Sequence, residues 1–316
     1  MAKVGYNARL FIFHPIQLCA ARVALRYLAQ EGLDVTGAVA QTKFSNLYDK
    51  ARDLLRTGAS EIEIARLASE AKSLRNADVV ESREILALVS LIKREIPEAI
   101  AEYEKAIQLS GRRFDVVARA MMILGVVGQS MVVGDLYRRY VDVDVLPPDD
   151  REFVASAIGF SGWAAESTSI RLAMKDAGMP ITPKTSIPGL VFPVEGNQKE
   201  GEAGMSESAS LSGLMLSHES LAAAGVSDEW VAERVGSALR FLLDEHKEVM
   251  AVRPSPVPQE GGRQGLIVNF FVDEDLDATS QIEWDLFGHL ASAFPDVMDN
   301  EDVSFALVAT GGMDVS

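Results

Sequence analysis

The densest group of side chains able to do chemistry is Asp273-Glu274-Asp275-Leu276-Asp277. Carboxylates alternating at the end of a strand, here Asp273, Asp275 and Asp277, could hold Mg²⁺ or Ca²⁺, because a hard cation needs several oxygen ligands from one loop. An EF-hand does not fit, since Ala278 stands where its sharp turn needs glycine and Trp284 where its bidentate glutamate belongs. The same residues also suit the start of a helix, with Asp275 or Asp277 as the cap and acidic neighbours meeting the positive end of the helix dipole. On sequence alone both readings stand.

Elsewhere the chemistry is sparse. His14, His218, His246 and His289 lie far apart with no cysteine partners and no i, i+4 pair, so zinc finds no ligand set. No G-x-S-x-G elbow occurs, and Gly261-Gly262-Arg263-Gln264-Gly265 lacks the lysine and the strand-before, helix-after setting of a phosphate loop. The single cysteine, Cys19, excludes an internal disulfide and reads as a buried, inert thiol. No catalytic residue and no cofactor are therefore expected. Two basic pairs, Arg112-Arg113 and Arg138-Arg139, stand close to one repeat length apart. Their planar forks suit a carboxylate or phosphate on a partner, and they suit equally well the acidic C-terminal part of the chain or plain solvent.

The elements that must position these groups come in two kinds. Ala8 to Phe13 reads as a short strand or extended arm, followed by an amphipathic helix from Ile16 to Glu31. Helices are then predicted at Ser45 to Arg56 and at Ile62 to Leu74, the second with Ser60 and Glu63 as a capping box. Another hairpin runs from Glu81 to Arg94 and from Pro97, suited to a first helical turn, to Leu109, and a further one begins at Phe114. A single hairpin cannot bury its apolar stripe, so Leu88, Ile100 and Tyr103 need neighbours such as Val117, Met121 and Leu136.

Within the second of these helices, Ala99, Tyr103 and Ala106 follow a small, aromatic, small pattern that resembles a tetratricopeptide repeat. Thirty-four residues on, the same offsets meet Val133, Tyr137 and Tyr140, and one period later Ser167, Arg171 and Met174. In the other direction they meet Ala65, Ser69 and Lys72. The small residue of the family's first helix falls on Ala87, Met121 and Ala155. The resemblance covers about residues 79–180 and implies stacked helical hairpins that bind peptides or proteins. Another all-α stacking of hairpins is the alternative.

Charge divides the chain. The 30 basic and 46 acidic residues leave a net charge of −16. Residues 1–179 are balanced and the whole excess falls on 180–316. Between them, prolines 180, 183, 188 and 193 and a Gly/Ser-rich run read as a linker. The expectation is an α+β protein: a TPR-like helical-hairpin domain over residues 1–180, a linker over 181–216, and a smaller acidic domain over 217–316 ordered α-β-β-α-β. Its strands are placed at Glu248 to Val252, Leu266 to Val272 and Val303 to Ala309, with Pro254 to Gly265 as the connection. The acidic excess argues that the C-terminal part avoids nucleic acid, whose phosphates need clustered cations, so no nucleic-acid partner is expected, and no apolar run spans a membrane. A cytoplasmic setting without a signal peptide fits.

These readings favour a non-enzymatic interaction or assembly protein with a protein partner, one with a basic surface if the acidic part docks it. Two alternatives remain open. One is a metal-dependent enzyme or ligand sensor at Asp273, Asp275 and Asp277. The other is a subunit of a larger assembly, or a homo-oligomer, joined by strand addition of Ala8 to Phe13.

Overall fold

The computed structural model describes residues 35–179, 219–259, 264–297, 300 and 302–310. The Ala8–Phe13 arm, the helix expected at Ile16 to Glu31, Cys19, His14, His218, the linker 181–216 and residues 261–263 lie outside them. Four helical pairs come first: α1 (Val35–Thr57) with α2 (Glu61–Leu74), α3 (Val79–Ile92) with α4 (Ile96–Leu109), α5 (Phe114–Val126) with α6 (Ser130–Tyr140), and α7 (Pro148–Phe160) with α8 (Ala164–Asp176). Local chemistry explains their starts. Ser60 and Glu63 form a reciprocal capping box on α2, Asp78 accepts from the amides of Val80 and Glu81 to cap α3, and Pro97 sits in the first turn of α4.

The backbone repeats more faithfully than the side chains. Helices α4, α6 and α8 begin at Ile96, Ser130 and Ala164, each 34 residues after the last. The turns before them carry left-handed residues at the same interval, Arg94 (φ 65°), Gly128 (φ 71°) and Gly162 (φ 91°). Each turn closes with the same long-reach bond, from Glu95 N to Ser90 O at 2.8 Å, Gln129 N to Leu124 O at 2.8 Å and Trp163 N to Ile158 O at 3.0 Å. Ala99, Tyr103 and Ala106 are fully buried, as are Val133 and Met174 at matching offsets and Ala87, Met121 and Ala155 on the first helices.

One offset shifts. In α2 the residues at the 34-residue offset, Ala65, Ser69 and Lys72, are exposed, while Ile64, Ala68 and Ala71 face inward. Helix α2 starts 35 residues before α4, so its register is one residue off the later ones. At the aromatic position of the last unit stands Arg171, as its sequence offset has it, and it grips Glu152, with Nη2 to Oε1 at 2.6 Å and both side chains nearly sealed. Glu84, two periods before Glu152, is fully buried and held by Arg119 through two 2.8 Å bonds.

The remaining elements are α9 (Asp228–Asp244), β1 (Val249–Pro258), β2 (Gln264–Val272), α10 (Leu276–Ala293) and β3 (Val303–Ala309). The strands form one sheet ordered β1-β2-β3, with β1 antiparallel and β3 parallel to β2. Helices bury one face of it, carrying Leu266, Val268, Phe270, Val272, Val303 and Phe305, with Trp230 of α9 stacked on Phe305. The connection expected to begin at Pro254 is instead strand: β1 continues to Pro258, with Pro254, Pro256 and Pro258 paired to Val268, Leu266 and Gln264. Proline lacks the ladder donor, but an edge strand tolerates it at every second residue, where the amide would face away from its partner.

Helix α9 is buried nearly all round, with Val231, Ala232, Val235, Ala238, Leu239 and Leu242 at 1 % exposure or less. One side meets α10, where Ser237 Oγ lies 2.9 Å from His289 Nε2 and Phe241 stacks on the same imidazole. The other side runs across the turns of the helical stack. Asp228 meets α8, Ala232 and Val235 meet Gly162, Gly236 meets Gly128, and Asp244 meets Arg94 at 3.1 Å. The stack and the sheet thus share this helix as a common core.

Candidate partner-binding groove

A groove of about 350 Å³ opens where α9 crosses the α5–α6 turn. Gly128, Gln129, Ser130, Met131 and Val132 form one wall, and Ala232, Glu233, Gly236, Arg240 and Phe294 the other. The close approach depends on glycines: a Cβ on Gly128 would collide with Gly236 O, and one on Gly236 would stand 2.8 Å from Gly128 O. Arg240 reaches across and donates from Nη1 to Gly128 O at 2.6 Å. Burial pushes its guanidinium pKa down, with Asp244 opposing, and among the described residues no carboxylate pairs with it.

The N-terminus of α6 faces this space. Its first internally bonded amide is Val133 N, which donates to Gln129 O at 3.0 Å, and among the described residues no side chain caps the amides before it. Ser130, at 1 % exposure, keeps its hydroxyl without a hydrogen-bond partner. One period along, the matching end of α8 is filled. There Asp228 Oδ1 accepts from Ala165 N and Oδ2 from Glu166 N, each at 2.8 Å. Burial lifts that carboxyl above its ordinary range against the pull of the two amides.

The arginines expected to meet a partner are spread over several contacts. Arg113 forks onto Asp115 at 3.0 and 2.7 Å, and Arg138 lies over the Trp163 ring and pairs with Glu166 at 2.8 Å and with Glu229 of α9 at 2.9 Å. Arg139 pairs with Glu104 at 2.7 Å. Arg112 and Arg139 are brought together on the ring of Tyr140, at 5.7 and 4.9 Å from its centroid, and Arg112 has no carboxylate partner among the described residues. The result is one Arg112–Tyr140–Arg139 patch, its arginines exposed and its ring half-buried, rather than two matched pairs.

Of the acidic group, Asp275 caps α10, accepting from Ala278 N at 2.8 Å, and Asp277 lies in the first helical turn. Asp273 and Asp277 are exposed, and no three ligating side chains converge on a metal position among the described residues. The Ser237–His289 pair was invisible in sequence because its members are 52 residues apart. Ser237 is 5 % exposed and neither residue lines the groove, so the pair joins α9 to α10 rather than presenting a nucleophile. The groove itself had one sequence signal, the recurrence of Arg94, Gly128 and Gly162; nothing in the sequence announced Gly236 opposite Gly128. No helix among the described residues is long and apolar enough to cross a membrane. Compared with protein-family models, with curated proteins and with solved structures, the chain matches none of them.

Proposed function

We propose that this protein is a non-enzymatic interaction or assembly protein whose TPR-like hairpin stack presents a surface to a protein partner. The observation that carries this reading is the 34-residue recurrence of the hairpin turns and of the helices that follow them. Such a stack buries its own stripe and leaves a long ordered surface, which is the usual use of a helical repeat. The Arg112–Tyr140–Arg139 patch sets the exposed Arg112 guanidinium beside a half-buried aromatic ring and a second arginine, residue types enriched at the energetic centres of interfaces.

Affinity capture of the full chain from its source cells tests the proposal, read by the stoichiometry of what is retained. A partner near one-to-one is expected, and Arg112→Glu with Arg139→Glu should reduce its retention while leaving the melting temperature of the chain unchanged. No stoichiometric partner, together with a monodisperse monomer in solution, would overturn it.

A further inference from the structure

We propose that the groove between the α6 N-terminus and α9 seats the side-chain carboxylate of an aspartate on a partner protein, bound by the amides of Met131 and Val132 beside Arg240 and Ser130. The inference rests on the interaction reading and names a chemical group that such a partner must supply. Its strongest support is internal. Ala165 and Glu166 of α8 stand 34 residues after Met131 and Val132, and their amides are occupied by both oxygens of Asp228. The chain already uses an aspartate to fill this position where α9 begins, and among the described residues nothing fills the equivalent position where α9 passes over Gly128.

The open position holds more than a helix end. Among the described residues Ser130, which lines the groove, is buried with an unpartnered hydroxyl, and its Oγ would lie 3.1 Å from a Cβ on Gly236. Arg240 adds a cation that pairs with no carboxylate among the described residues and whose Nη1 is anchored on Gly128 O. Glu233, the one acid on the wall, is turned to Arg234 at 3.3 Å. Two amides, a buried hydroxyl and a guanidinium belong to residues lining one groove, and together they match the two oxygens and single charge of a carboxylate.

The test is an NMR titration of the full chain with the tripeptide acetyl-Ala-Asp-Ala-amide, its Asn counterpart, succinate and inorganic phosphate, reading the Met131 and Val132 amides. Saturable downfield shifts with the Asp tripeptide and none with the Asn tripeptide are expected. Met131→Pro should weaken the titration about tenfold or more, the value of one charge-assisted hydrogen bond. The fold accommodates that change, because Pro97 occupies the matching position in the first turn of α4. Arg240→Met should weaken it as well and serves as the second variant. Equal shifts with the Asn tripeptide, tighter binding of succinate or phosphate than of the Asp tripeptide, or no saturable shift at these two amides would each overturn the proposal. Because no partner protein enters the titration, its failure leaves the interaction reading standing. A failed partner capture, in turn, leaves the titration to be read by itself.

Discussion

The α3–α4 and α7–α8 hairpins share one backbone and differ in the chemistry inside it. Each first helix buries a glutamate, Glu84 and Glu152, at equivalent positions two periods apart. In the earlier hairpin the aromatic site is kept by Tyr103, and the charge is met from outside by Arg119 of α5. In the later one Arg171 has taken the aromatic site and meets Glu152 within the hairpin. A repeat can therefore lose its side-chain signature while its turns, bonds and helix starts stay in step, because backbone geometry is set by turn length and capping and the buried charge needs only some partner.

The buried pairs give the largest way to break this equivalence. Removing one partner of such a pair leaves the other charge sealed and typically costs about 3–5 kcal/mol. Glu152→Ala should lie near the top of that range, since Arg171 would keep only the hydroxyls of Ser156 and Ser167. Glu84→Ala should lie near the bottom, because Arg119 retains Asp115 at 3.1 Å. Urea denaturation reads both, and the reverse order would show that the two sites are not analogous.

The turns give the next. Gly162→Ala forces a Cβ to 2.9 Å from Ala232 Cα at φ 91°, for an expected loss of about 2–3 kcal/mol, a left-handed alanine alone costing about 1–2. Arg94→Gly at the matching turn relieves a left-handed arginine and should gain up to about 1 kcal/mol, less the small worth of its exposed pair with Asp244. Opposite signs at residues one backbone position shares would sharpen the claim that only the turns pressed against α9 need glycine; like signs would defeat it.

The smallest effect concerns pH. Burial, with Asp78 and Glu84 nearby, raises the Glu81 carboxyl to about 7, while Arg119 and Arg113 pull it back. The later hairpin has Asp149 at the corresponding position, in the first turn of α7. A carboxyl raised in the folded state is penalised once ionised, so the penalty is absent below its unfolded pKa of about 4.3, grows as pH rises towards 7 and is constant beyond. Glu81→Gln should therefore gain about 1 kcal/mol at pH near 8, after allowance for its partial exposure, and nothing near pH 4. A gain independent of pH in melting temperature would refute the assignment.

Much of the helical part was legible because its signals are local. The Ser60–Glu63 box, Pro97 and the apolar spacing of α9 each act within a turn or two of the residue that carries them. The strand β3 was legible too, as a short alternating run from Val303 to Ala309. What was hidden depends on tertiary contact. Proline reads as a strand breaker until its strand is known to lie at an edge, so the second half of β1 passed for a loop. The one-residue slip of α2 accompanies a turn of equal length whose left-handed residue, Gly58, stands three positions before the helix start instead of two, and it could not be inferred from a fixed period. The groove needs Gly128 and Gly236 to meet across 108 positions, and no pattern along the chain records that.

The proline-bearing edge of β1 has a consequence for how this sheet can grow. Residues 254, 256 and 258 sit at the alternate positions whose amides would face outward, and none has an N–H to give. At the opposite edge, the outward amide of Val303 is taken by Asn300 Oδ1 and that of Leu307 by Glu283 Oε1, each at 2.9 Å. Among the described residues, a strand arriving from another molecule would find no donor at 254, 256 or 258 on one border and a ladder already interrupted along the other. Such borders disfavour edge-to-edge addition of strands without the sheet being closed into a barrel, a protection that lies in its rims rather than its core.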